Sequence, residues 1–262
     1  MRRKPNLFVV AVFWCTIFFL YLPLFCVIFQ TFLNDPYDWK SEFTSRWILR
    51  LLHSDELWTP LMNSLGIGMF SATLAVTMGT LGAVGLRPAT QKIPAMLQSL
   101  IMLPILLPEV ITGLSLLLFF LLTRLPLGYF TIVLAHSSFS ASFVYFVMVE
   151  QLRKLDPQME EAALDLGATS SQVFWKVTLP NILPGLMGGW LLAFTLSFDD
   201  FLISFFTSGA GVTTLPLKIY SLMRVGITPE LNAMCFFMIG ISTLLVLGLV
   251  SREDSRKWVL RG

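Results

Sequence analysis

Three carboxylates stand where the surrounding sequence offers them no water. Glu109 lies in the otherwise uncharged stretch from Ile93 to Thr123, and Asp199-Asp200 separates the charge-free run Val177–Phe198 from the apolar segment Phe201–Phe206. A charge at the centre of a bilayer costs about 2.5–3.5 kcal/mol on insertion scales, so such residues line a polar pathway or have a partner. Two readings of the acids stand side by side. They form an acidic patch for a cation, flanked by Phe139, Tyr145, Phe198 and Phe201, whose rings can hold an alkyl-ammonium. Or they are structural, paired with His136, Arg224 or a neighbouring subunit. Adjacent residues point in different directions, so one aspartate of the two can face a pathway while the other does not.

Catalytic readings fail. On one helix Asp199 and Asp200 diverge by about 100°, which does not make a two-carboxylate dyad. There is no H-E-x-x-H, and His53 and His136 are far apart. No G-x-x-x-x-G-K-[ST] is present for nucleotide phosphates, and Gly66-Ile67-Gly68 lacks the third glycine of a dinucleotide loop. Cys15, Cys26 and Cys235 sit in apolar runs without metal spacing. No catalytic residue, metal site or cofactor is expected.

The elements that position the acids follow from composition. Of 262 residues, 55% are hydrophobic and 13% charged, against about 25% charged in soluble domains. That predicts an all-α, polytopic integral membrane protein. A net charge of +2 excludes an overall basic nucleic-acid binder. The charge-free run Pro5–Asn34 follows Met1-Arg2-Arg3-Lys4 and, at 30 residues, exceeds the apolar core of a signal peptide. It predicts an uncleaved first span. Apolar runs place six transmembrane helices at about 7–32, 61–86, 97–122, 128–149, 184–206 and 231–250. Pro104 and Pro108 predict a kink or an interfacial first turn in the third, and the fifth is expected to run through Asp199-Asp200. With the N-terminus inside, 12 of the 18 lysines and arginines fall on the inner side. Both termini are therefore expected in the cytoplasm. The chain divides into an N-terminal span with its external loop (1–60), a core (61–250) and a basic tail (251–262) that reads as an interfacial anchor. Gly185 and Gly189 are spaced for close helix packing.

The longest cytoplasmic connection, Glu150–Leu183, has its own local code. Asp156 and Pro157 start a helix, and Glu160 and Glu161 complement its dipole. Leu155, Met159, Ala162, Ala163 and Leu166 recur at helical spacing, and Gly167 supplies a left-handed stop. Thr169 with Gln172 reads as a capping box opening a second short helix, and Leu179-Pro180 is expected to restart the chain toward the next span. On pattern alone this is either a plain surface connection or an amphipathic helix offered to a partner groove.

Glu161-Ala162-Ala163, three residues, Gly167, nine residues, then Val177-Thr178-Leu179-Pro180 resembles the EAA motif of ABC importer permeases, with valine in place of isoleucine. The likeness runs from about Leu61 to Val250 and includes Asn63-Ser64. It implies the six-helix type I ABC importer permease fold. It also implies that Glu161, Ala162, Ala163, Gly167, Leu179 and Pro180 form a loop that couples to an ATPase. Ser197–Phe206, Thr213–Ser221 and Pro229–Ala233 resemble the spermidine/putrescine importer permeases, most closely the second permease subunit. Leu107-Pro108-Glu109-Val110 resembles a Pro-acid pair of that family, in which aspartate is common where Glu109 stands. The resemblance implies half of a polyamine pathway through Asp199, Asp200 and Glu109, in a bacterial inner membrane. The implied partners are a second permease, two ATP-binding cassette subunits that perform the hydrolysis, and an extracytoplasmic substrate-binding protein. Two alternatives remain open at this level. One is the same machine with another cargo; an anion would call for basic residues in the spans, which are absent. The other is a proton-coupled transporter using Glu109 and Asp200 as relays.

Overall fold

The structure is a computed structural model that describes residues 7–35, 38–86, 95–226 and 228–259. The helices are α1 (Leu7–Thr31), α2 (Arg46–Leu52), α3 (Asp55–Leu86), α4 (Ala95–Leu106), α5 (Glu109–Leu122), α6 (Tyr129–Arg153), α7 (Pro157–Asp165), α8 (Ser170–Val173), α9 (Leu179–Phe198), α10 (Leu202–Thr207), α11 (Leu215–Val225) and α12 (Pro229–Val259). Among the described residues, α1, α3, α6 and the rod Ser170–Phe198 are long and apolar enough to cross a membrane, and α4 with α5 makes a fifth crossing if the bent pair is one span. Helices suit this task because each satisfies its own backbone polar groups where water is absent. Arg2, Arg3, Lys4, Arg87, Lys92 and Arg261, half of the charges assigned to the inner side, lie outside the described residues.

The chain forms two compact units, one of residues up to 58 with 218–248, the other of 59–217 with 249–262. In the first unit, α1 leaves Phe13, Trp14, Phe18, Phe19 and Phe25 exposed, as a lipid-facing helix would. Its end is tied to α12 by a buried hydrogen bond from Thr31 Oγ1 to the Asn232 carbonyl (3.1 Å) and by the Phe32–Phe236 ring pair. Ion pairs Arg50–Glu230 (3.6 Å) and Lys218–Glu56 (3.2 Å) fasten the segment that follows.

The second unit is built on α6. Ile132, His136, Ser140, Val144 and Met148, four residues apart, are all buried, so one face of α6 is covered along its length. Gly185 and Gly189 of α9 are buried against Gln151 and Val144 of α6. This is close packing within the chain, as the glycine spacing suggested. Gly79 of α3 meets α6 at its backbone: an added Cβ would lie 2.8–2.9 Å from Val144 Cγ1, the Ala141 carbonyl oxygen and the Tyr145 nitrogen. Gly79→Ala should therefore cost about 1–3 kcal/mol by overpacking, since backbone cannot rotate away. A lowered thermal midpoint of the detergent-purified protein checks this; an unchanged one would mean the two helices do not meet there.

Three expectations about helix continuity need correction. The disturbance expected from Pro104 and Pro108 is present but larger than a kink, and no single helix covers 97–122: Ser99–Leu106 and Glu109–Leu122 are bent by 112°. Pro108 has no N–H for the Pro104 carbonyl and its ring would strike that carbonyl. It sits instead in extended backbone (φ −56°, ψ 136°) ahead of α5. The fifth span does not run through 184–206, because α9 ends at Phe198 and α10 begins at Leu202. Nor does Leu179-Pro180 restart the chain. A π-helical turn, Phe174–Thr178, joins α8 to α9 without a break, with the Leu179 N–H donating to the Phe174 carbonyl. The wider turn falls where Pro180 has no donor to continue the regular ladder. Finally, α12 continues through Val259, so most of the basic tail extends a helix.

Candidate functional site

The acids gather where two helices are interrupted. Glu109 is the first residue of α5, directly after the Pro108 bend. On the same face one turn on, Gly113 packs against α10, where an added Cβ would meet Phe206, the Leu202 carbonyl and Ile203. Asp199 and Asp200 occupy the gap between α9 and α10, the helix against which Gly113 of α5 packs.

The two aspartates have different surroundings. Asp199 is exposed, with its N–H donating to the Thr195 carbonyl at 3.3 Å. Asp200 turns inward, with its side chain 8% exposed. Its Oδ1 accepts from the Ile203 N–H (3.3 Å) and its Oδ2 from the Ser204 N–H (2.8 Å). These are donors that an uninterrupted helix would have bonded to its own carbonyls, so the carboxylate competes with the helix and holds the gap open. Oδ2 also lies 3.1 Å from His136 Nε2. A carboxylate only accepts, so that nitrogen carries a proton. His136 Nδ1 is 2.6 Å from Ser197 Oγ, and Ser71 Oγ donates to Ser197 Oγ at 2.9 Å. Ser204 Oγ is 3.1 Å from Nε2. The result is a buried polar chain from α3 through α9 and α6 to α10.

Of the partners proposed for the acids, His136 is the one that meets Asp200. Arg224 lies over the Tyr220 ring, its carbon 4.7 Å from the centroid. Among the described residues, neither Asp199 nor Glu109 has an ion-pair partner. The aromatic flank is corrected: Phe198, Tyr145 and Phe139 are buried in the protein, and only Phe201 of the four is half-exposed. Ser71, Ser197 and Ser204 were missed as a group. They are small polar residues within apolar segments, Ser71 in the middle of α3 and Ser197 in the last turn of α9, and nothing local marks them as converging on His136.

The second candidate region is the loop between α6 and α9. The Asp156 carboxylate accepts from the Gln158 N–H (3.0 Å) with Pro157 in the first turn. The helix stops at Gly167, φ +83°. There the Gly167 N–H donates to the Leu164 carbonyl (2.9 Å) and the Ala168 N–H to the Ala163 carbonyl (3.1 Å), the paired bonds of a left-handed helix stop. Thr169 and Gln172 form the capping box in both directions. Thr178 Oγ1 donates to Glu160 Oε1 (2.6 Å), tying α7 to the π turn. Glu161, Ala162, Leu166 and Gly167 are exposed and Ala163 is half-buried. Leu166, 89% exposed, lies beside a shallow hollow lined by Ala163, Gln172, Val173 and Val177. Leu179 and Pro180 stand apart from α7, in the first turn of α9. A short apolar ledge of this kind, fixed by local caps and left uncovered, is suited to a partner's groove.

The chain is similar to several known proteins. The putrescine transport system permease protein PotI of Escherichia coli is 40% identical over 231 residues, covering 85% of this chain and 82% of the relative. The spermidine/putrescine transport system permease protein PotC of Haemophilus influenzae is 35% identical over 241 residues, covering 90% and 93%. In fold, the chain is similar to a bacterial ABC transporter involved in the import of the acidic polysaccharide alginate, with a TM-score of 0.70 at 17% identity over 96% of this chain and 95% of that one. The profile of the binding-protein-dependent transport system inner membrane component matches residues 75–253. The chain therefore belongs to the family of binding-protein-dependent transport system inner membrane components.

Proposed function

We propose that this chain is one of two permease subunits of a bacterial ABC importer for polyamines. The observation that carries the reading is the pair of exposed carboxylates, Asp199 and Glu109, at helix breaks within apolar segments and without a cationic partner among the described residues. A linear polyamine carries several ammonium groups, and two separated carboxylates offer it more than one point of attachment. The likeness to putrescine and spermidine/putrescine permeases supports the same cargo. Asp200 belongs to the pathway as the residue that shapes the break.

Six spans, with both termini in the cytoplasm, place the α6–α9 loop on the cytoplasmic side. Residues 1–60 form the first span and its external loop, 61–250 the permease core, and 251–262 the cytoplasmic tail. Two ATP-binding cassette subunits receive the loops through Glu161, Ala162, Ala163, Gly167, Leu179 and Pro180, and an extracytoplasmic binding protein delivers the substrate. The chain performs no chemistry itself. ATP binding closes the ATPases and, through the loops, turns the pathway outward; hydrolysis restores the inward-facing state, as in alternating access.

The test is uptake of labelled putrescine and spermidine in cells lacking their own importers, with this chain expressed beside its neighbouring transporter genes. Uptake is expected to disappear when the partner ATPase is inactivated. No uptake of either polyamine by an assembled complex would overturn the cargo. Uptake that survives an inactive ATPase would overturn the importer reading in favour of an ion-coupled carrier.

A further inference from the structure

We infer that His136 is a positioning residue for the cation pathway, acting by bridging the two chain segments on either side of Asp199. The inference rests on the reading that Asp199 meets the cargo. The imidazole touches Ser197 at 2.6 Å through Nδ1 and Asp200 at 3.1 Å through Nε2. Ser197 belongs to the last turn of α9, and Asp200 accepts from the first amides of the following helix. One buried ring, 2% exposed, thus holds both ends of a gap three residues long. Asp199 has no side-chain hydrogen bond or ion pair to hold it among the described residues. Its direction is set by its backbone, and its backbone is set by what grips its neighbours.

Asp200 is occupied by this work. Both of its oxygens accept hydrogen bonds, and turning either toward a cargo would uncover the Ile203 or Ser204 amide. A buried donor left without an acceptor is costly, which keeps Asp200 in place. The division of labour is that Asp199 presents charge, Asp200 fixes the break, and His136 locks the break to α6. Ser71 extends the lock to α3 through Ser197. A displacement of about 1 Å at a binding group can cost up to about a hundredfold in rate, so loosening the bridge has a reach well beyond its own contacts.

The experiment is a mutant cycle on polyamine uptake in the full transporter, with uptake normalised to assembled complex. His136→Ala is expected to raise KM about tenfold with maximal rate per complex within about twofold. In the Asp199→Asn background the same change should add less than about twofold, because the group being positioned has lost its charge. His136→Gln, which keeps one donor and one acceptor, should recover KM to within about threefold of wild type. If His136→Ala does not assemble, Ser197→Ala removes one contact of the same ring and is read in the same cycle. Equal factors in both backgrounds, or a loss of complex at unchanged KM, would make the ring merely structural and overturn the inference. An Asp199→Asn transporter with wild-type KM would instead remove the pathway reading, and the inference with it.

Discussion

Gly167→Pro is expected to leave a transporter that assembles and hydrolyses ATP but imports at least about tenfold less substrate per complex. The reason lies in backbone geometry. Gly167 sits at φ +83°, and proline fixes φ near −65°, so the left-handed stop cannot form. Proline also removes the N–H that donates to the Leu164 carbonyl. Where native backbone and proline are incompatible, the local cost exceeds about 1 kcal/mol and reaches about 3. No atom lies within 4 Å of a Cβ added at Gly167, so the damage is confined to the path of the chain from α7 into α8. The span packing, which runs through α6 and α9, is untouched. What changes is the angle at which Ala162, Leu166 and their neighbours meet the ATPase. Gly167→Ala, which can reach positive φ at a cost of about 1 kcal/mol, should show a weaker form of the same defect. Uptake and ATPase rate measured on one preparation decide the matter; normal uptake by Gly167→Pro would detach this loop from coupling.

The second large effect is expected at Asp199. Replacing a carboxylate that bonds a cation removes about 1.5–3 kcal/mol, which is about 10- to 150-fold in affinity. Asp199 is exposed, so solvent screening puts Asp199→Asn at the lower end, near tenfold in the KM for polyamine. The amount of assembled transporter should stay near wild type, because Asp199 has no side-chain partner to lose among the described residues. Asp200→Asn is the contrasting control. Asparagine keeps one acceptor for the Ile203 and Ser204 amides and the His136 ring, and each buried donor left unsatisfied costs about 1–3 kcal/mol. Its first symptom should be a lower yield of assembled complex. If Asp200→Asn raises KM in full-yield complex while Asp199→Asn does nothing, the roles of the two aspartates are reversed.

The residues that the sequence marks most clearly are those whose cause is local. Asp156, Pro157, Gly167, Thr169 and Gln172 act within one turn of helix, and each does in the structure what its type and spacing dictate. The apolar stretches of α1, α3 and α6 follow from the sequence for the same reason, although α3 starts at Asp55, six residues before the expected 61, and α6 ends at Arg153, four after the expected 149. The EAA-type spacing and the Asp199-Asp200 signature were legible because they are strings of adjacent residues.

What only the tertiary structure decided is the geometry of the breaks. Two prolines announce a disturbance near Glu109, but a bend of 112° depends on what α5 then packs against, and that is α10, about ninety positions further on. The gap at Asp199 has no glycine or proline to announce it. It exists because Asp200 finds the Ile203 and Ser204 amides on one side and His136 on the other, 64 residues earlier in the chain. Sequence alone thus determined a helical membrane protein with acids inside its apolar runs and a capped loop, since hydrophobicity and capping are properties of short segments. Which aspartate is free and which is buried was decided by contacts between helices, because burial is set by neighbours in space.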